Sequence, residues 1–148
     1  MSKVFEDYFA EIHTDMVDIC MEYVDDVAEK IYIYGSVEDG MITADFFYKI
    51  DGNILKRHKI NMVSSRYDVS VQRQNMCLDI LIEDLEKLIS LCKEYDRPMP
   101  TEIKMVYDVN KNSLNVDYKY DPVYSNHKTK LPDDIVEEWF EEVKNSNL

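Results

Sequence analysis

The chain has 148 residues, 45% of them hydrophobic, and a formal net charge of -13 from 30 acidic against 17 basic side chains. That length can bury about 68–70% of the surface its unfolded form exposes, enough for one compact domain spanning 1–148. The negative charge argues against a partner with a phosphate backbone, and with only three Gly and four Pro there is little room for linkers or low-complexity segments. The N-terminus MSKVFEDYFAEI has neither a basic leader nor a continuous apolar run, and no stretch approaches the length of a membrane span, so a cytoplasmic protein that binds no membrane is expected. Cys20, Cys77 and Cys92 fit reduced core thiols better than a disulfide framework or a zinc site.

In chain order, Phe5, Phe9, Ile12, Met16, Ile19, Tyr23 and Val27 recur at steps of four and three and predict a helix from about Lys3 to about Ala28. At the same steps run Asp7, Glu11, Asp15, Asp18, Glu22, Asp25 and Glu29, an unbroken acidic ridge. Like charges at this spacing cost an isolated helix a few tenths of a kcal/mol per pair, about 1–3 kcal/mol over the ridge. A face meant only for solubility could have mixed in lysines. KIYIYGSV (30–37) and the alternating segment 41–50 predict two strands around Glu38-Asp39-Gly40, and Asp51-Gly52-Asn53 turns into a third strand over about 54–63. Asp68 and Ser70 are candidate N-caps for a second helix with Cys77, Leu81, Leu85, Leu88, Cys92 and Tyr95 on its buried side, ending before Pro98.

Ile103, Met105, Tyr107 and Val109, then Leu114, Val116, Tyr118 and Tyr120, alternate with polar residues about an Asn110-Lys111-Asn112 turn and predict a hairpin with one wet face. After an irregular loop, Pro132 opens a last helix with Ile135, Val136, Trp139, Phe140 and Val143 on its apolar side. The order is αβββαββα, and an antiparallel sheet of about five strands with one apolar face packed by helices makes an α+β fold.

The last helix repeats the device of the first, with Asp133, Asp134, Glu137, Glu138, Glu141 and Glu142 in two adjacent rows. Residues 1–29 carry nine acidic groups against Lys3 and residues 131–148 six against Lys144, so the chain between them is neutral with fifteen of each sign. Such rows are commonly just solvated helix faces. Confining the whole imbalance to two helices points instead to surfaces that meet something basic, and the expectation is that the two helices form a joint acidic surface.

Catalytic patterns are scarce. His13 and Asp15 are two apart on a helix and diverge, His58 sits in a basic strand run, His127 is alone in a loop, and no phosphate loop, GxSxG, HExxH or cofactor-binding motif occurs. An enzyme is not expected, nor are a metal or a cofactor. Eleven tyrosines and Trp139 fit a contact role, although at strand positions β-propensity explains them as well. Tyr118, Tyr120 and Tyr124, running from the last strand into a loop, are the best contact candidates.

The segments YDVSVQ, LCKEYDRPMP and EIKMVYDVNKNSLNVDYKYDP, with the earlier IYIYGSVEDGMITADFFYKIDG, resemble the YezG-like (EsaG-like) family of bacterial immunity proteins over about two thirds of the chain. The resemblance implies a small acidic cytoplasmic antitoxin that binds and neutralises a secreted toxin, commonly a nuclease domain, without turnover, and a monomer or homodimer is expected. The chain is shorter than the longer members over VYSNHKTKLPDDIVEEWF, and no inhibitory residue of the family carries over to a position here. The rival reading is an acidic chaperone of the type III secretion kind. It shares the element order but would wrap an extended effector segment through apolar grooves.

Overall fold

The computed structural model describes residues 4–62, 67–123 and 130–146. Helix α1 (Phe5–Tyr23) leads into strands β1 (Lys30–Glu38), β2 (Met41–Ile50) and β3 (Asn53–Lys56). A 3-10 turn (Arg57–Met62), helix α2 (Val71–Glu94), strands β4 (Glu102–Asp108) and β5 (Ser113–Lys119), and helix α3 (Pro132–Ser146) follow. All strand pairs are antiparallel, in the order β3-β2-β1-β4-β5, so the predicted α+β architecture with the order αβββαββα is the observed one.

Turn chemistry sets the register. Asp39-Gly40 and Asp51-Gly52 both have positive φ at successive residues, the type I′ geometry that matches the twist of a hairpin. At the β4–β5 turn, the Asp108 carboxylate accepts the Lys111 N–H at 3.1 Å.

The sheet has two covered faces, where the alternation of the strands predicted one. Ile31 to Ser36 is buried without interruption, because Ile31 and Ile33 point to one side and Tyr32 and Tyr34 to the other. On the first side, Met16 and Cys20 of α1 and Leu81, Leu85 and Leu88 of α2 pack over Ile31, Ile33, Phe46, Tyr48, Ile103 and Met105. Helix α2 comes close enough to β1 that a Cβ on Gly35 would stand 2.9 Å from Leu85 Cδ2. On the second side α3 lays Trp139 against Phe47 (ring centroids 5.1 Å) and Tyr32 (5.9 Å). Trp139 is therefore a core residue, as are Tyr32, Tyr34 and Tyr48.

Two boundaries differ from the sequence expectation. Helix α1 stops at Tyr23, five residues short of Ala28, in a turn where the Asp25 N–H donates to Glu22 O and the Asp26 N–H to Met21 O. Arg73 of α2 donates to the Glu22 and Tyr23 carbonyls at 3.1 and 3.3 Å, a cation on the negative end of the helix dipole. Glu29 is drawn into the sheet margin, donating from its N–H to Lys49 O and accepting from the Val109 N–H. The third strand is four residues long because the chain turns at Arg57, whose guanidinium pairs with Asp45 and whose carbonyl accepts from the Tyr23 hydroxyl. Ile60 then reaches the core from the 3-10 turn.

Candidate functional site

The acidic ridge of α1 survives folding over its first five members. Asp7, Glu11, Asp15, Asp18 and Glu22 are all exposed, on the side of the helix opposite Met16 and Cys20. Asp25 and Asp26 lie beyond the helix end in left-handed conformation (φ 50° and 61°), and the Glu29 carboxylate accepts from the Gly52 N–H at 2.7 Å. Four like-charge steps remain on the helix, a cost of about 1 kcal/mol.

These five carboxylates have different surroundings. Asp7 reaches back from the third helical position to accept the Val4 N–H at 3.0 Å, capping the helix start. Glu11 lines a 560 Å³ groove between α1 and α2, together with Tyr8, Ile12, Glu83, Glu86, Lys87, Ser90, Leu91 and Glu94. Asp15 faces Asp84 of α2, whose carboxyl is buried and pushed up to about 7, by desolvation first and by Asp15 second, against the pull of Lys87. Asp18 and Glu22 share a second groove with Val17, Met21, Asp25, Asp26 and Tyr107.

The carboxylates of α3 are exposed too, but the helix sits on the other face of the sheet. This corrects the joint surface expected from the sequence. Helix α2, which joins the third strand to β4, packs over the sheet beside α1, and α3 buries its Trp139 side on the far face. Several of its charges are also occupied within the molecule. Glu137 pairs with Lys56 at 2.6 Å, Glu138 with Lys130 at 2.9 Å, and Asp134 accepts the Leu131 N–H at 2.9 Å as Asp7 does at α1. Asp133 lines a small pocket with Asp45, Arg57 and Glu137, while Glu141 and Glu142 stand at the exposed end of the helix.

The neighbour of the α1 ridge is α2. Its outward residues Glu83, Glu86 and Glu94 line the same groove as Glu11, so the acidic surface joins α1 to α2. The signal was present in the sequence as steps of three and eight on the face opposite Leu81, Leu85 and Leu88. The net charge of the α2 segment does not display it, because Lys87 and Lys93 offset those carboxylates in number without covering all of them in space.

Of the tyrosines, Tyr118 is half engaged. Its hydroxyl meets His13 Nε2 at 2.9 Å, and its ring lies 5.9 Å from Phe9. His13 Nδ1 stands 2.7 Å from Phe9 O, which can only accept, so the proton is on Nδ1 and Nε2 accepts from Tyr118. Burial lowers the His13 pKa, which keeps this tautomer neutral, and raises that of Tyr118 to about 12. Tyr120 is 55% exposed. Tyr124 and His127 lie outside the described residues.

Among the described residues no three His, Cys, Asp or Glu side chains converge so as to hold a metal ion, and no helix is long and apolar enough to cross a membrane. A family model for YezG-like immunity proteins matches residues 5–141, and the chain belongs to that family. Its coarse role is therefore immunity, the binding of a cognate toxin. A search of curated proteins finds no match.

Proposed function

We propose that this chain is a stoichiometric, cytoplasmic inhibitor, folded as one domain, that captures a basic toxin, a nuclease domain, on the acidic face of α1 and α2. The observation that carries the reading is the exposed row Asp7, Glu11, Asp15, Asp18 and Glu22, continued across the groove by Glu83, Glu86 and Glu94. A nuclease cleft is lined with Lys and Arg to hold phosphates, and a row of carboxylates at helical spacing offers it a comparable series of negative charges. Complementary charge speeds encounter more than it tightens the final complex, which suits an inhibitor that must act before damage is done. Family membership supports this reading over the secretion chaperone. The carboxylates of α3 form a second and separate contact candidate.

Co-expression with the cognate toxin domain tests the proposal. The variant E11K/D18K/E22K changes only exposed positions and leaves the Asp7 cap and the Asp15–Asp84 pair alone. Cells carrying it should lose protection, whereas E137K/E138K/E141K/E142K on α3 should retain more of it. Full protection by the α1 variant, with a circular dichroism spectrum like that of the parent, would refute the assignment of the site.

A further inference from the structure

At the middle of the α1 row, the exposed Asp15 faces a carboxyl that is shut off from water. Asp84 of α2 is 1% exposed, its Oδ1 lies 3.7 Å from Lys87 Nζ, and its buried Oδ2 has no hydrogen-bond partner among the described residues. Two carboxylates that meet across an interface cannot both stay ionised at little cost. A proton held between them removes the repulsion and gives the buried oxygen a hydrogen to share.

The surroundings favour that proton. Burial first and Asp15 second push the Asp84 carboxyl up to about 7, against the pull of Lys87 on its own helix. Deeper in the core lie the Cys20 thiol of α1 and the Tyr48 hydroxyl of β2, which donates to Cys20 O at 2.6 Å; burial raises both, so neither is charged near neutral pH. Toward β1 the packing is apolar, Leu85 against Gly35. On the outer side, Glu11 and Asp18 flank Asp15 at helical steps of four and three, and Glu83 and Glu86 line the adjoining groove. The negative field of these four carboxylates also holds the proton, and a partner that lays Lys and Arg side chains along the row reverses that field.

We propose that Asp15 and Asp84 share one proton in the free chain and that a basic partner docked on the α1–α2 face expels it, so that capture is coupled to proton release. The inference rests on the reading of this face as the toxin site and adds how pH regulates it. In the complex a cation beside Asp15 favours the ionised form of both carboxyls. Below about pH 7 the free chain carries the proton and has to release it on binding, so affinity rises with pH. Above about pH 8 the free chain has already lost it, and this contribution is level.

Titration calorimetry with the cognate toxin domain, run in buffers of high and low ionisation enthalpy, counts the protons released. The parent should release about half a proton more than D84N at about pH 7 and about one more at about pH 6, and its affinity relative to D84N should rise about fivefold between those two values. A purely structural role for Asp84 would change stability and leave the two proton counts equal. Carbon-13 NMR of the aspartate carboxyls gives a second reading: at about pH 6, Asp84 should show the acid form in the free chain and the carboxylate form in the complex. Equal proton counts for the parent and D84N, or an Asp84 already ionised in the free chain at about pH 6, would overturn the coupling even where E11K/D18K/E22K weakens binding. If E11K/D18K/E22K binds as tightly as the parent, the docking face falls and the coupling with it.

Discussion

Asp84 is a carboxylic acid buried at a cost. It lies 1% exposed in the α1–α2 interface, with Lys87 Nζ at 3.7 Å and one carboxylate oxygen without a hydrogen-bond donor. Burial and the facing Asp15 raise its pKa to about 7, so the folded chain holds a proton that the unfolded chain releases near 4. Between about pH 4 and about pH 7 the native state therefore binds more protons, and stability falls as pH rises through this window. Asp84→Asn keeps the shape and supplies a donor to Asp15. It should raise the thermal midpoint at about pH 8 by about 2–4 °C and change it little at about pH 5, as read by calorimetry. His13 works with the opposite sign. Its lowered pKa means that stability is lost as pH falls below about 6.5, because only the unfolded chain then takes up the proton. Tyr118→Phe removes the hydroxyl that His13 Nε2 accepts from, and denaturant unfolding should show a loss of about 1 kcal/mol.

At the level of elements, the hairpins were legible because Asp39-Gly40 and Asp51-Gly52 are local signals that tertiary contacts do not override. The end of α1 was not legible, because the apolar period runs on to Val27, which the structure leaves 45% exposed. Helix α1 ends where the Glu29 bonds to Lys49 and Val109 fix the next strand, and those partners are distant in sequence. The helix closes with Asp25 in the left-handed region that favours glycine. Asp25→Gly should stabilise the fold by about 0.5–1 kcal/mol, since it relieves that conformation and removes a negative charge from the negative helix end. A destabilised Asp25→Gly protein in urea unfolding would show that the Asp25 carboxylate has a role this account lacks. The shortened third strand has the same origin as the shortened helix. The sequence expectation carries this strand on to about residue 63, whereas Arg57 pairs back to Asp45 and turns the chain.

For the whole molecule, the sequence showed that the charge sits on helices and which residues carry it, but not which helices are neighbours. Layer assignment depends on long-range packing. Tyr32, Tyr34 and Phe47 give the sheet a second apolar face, and α3 takes it, parting the α3 carboxylates from those of α1. The acidic surface consequently joins α1 to α2, because Glu83 and Glu86 lie across the groove from Glu11, a proximity that positions far apart in the chain do not reveal. Electrostatic capture by this surface has a kinetic signature distinct from tight packing alone, because rim charges act chiefly on the association rate and on its salt dependence. The most direct measurement is therefore the association rate constant of the purified toxin domain with the parent chain and with E11K/D18K/E22K, followed by stopped flow from about 50 to about 300 mM salt. The parent rate should fall steeply with salt, and the variant should be about tenfold or more slower at low salt with a much flatter dependence. Equal rates and equal salt slopes for the two proteins would contradict electrostatic capture.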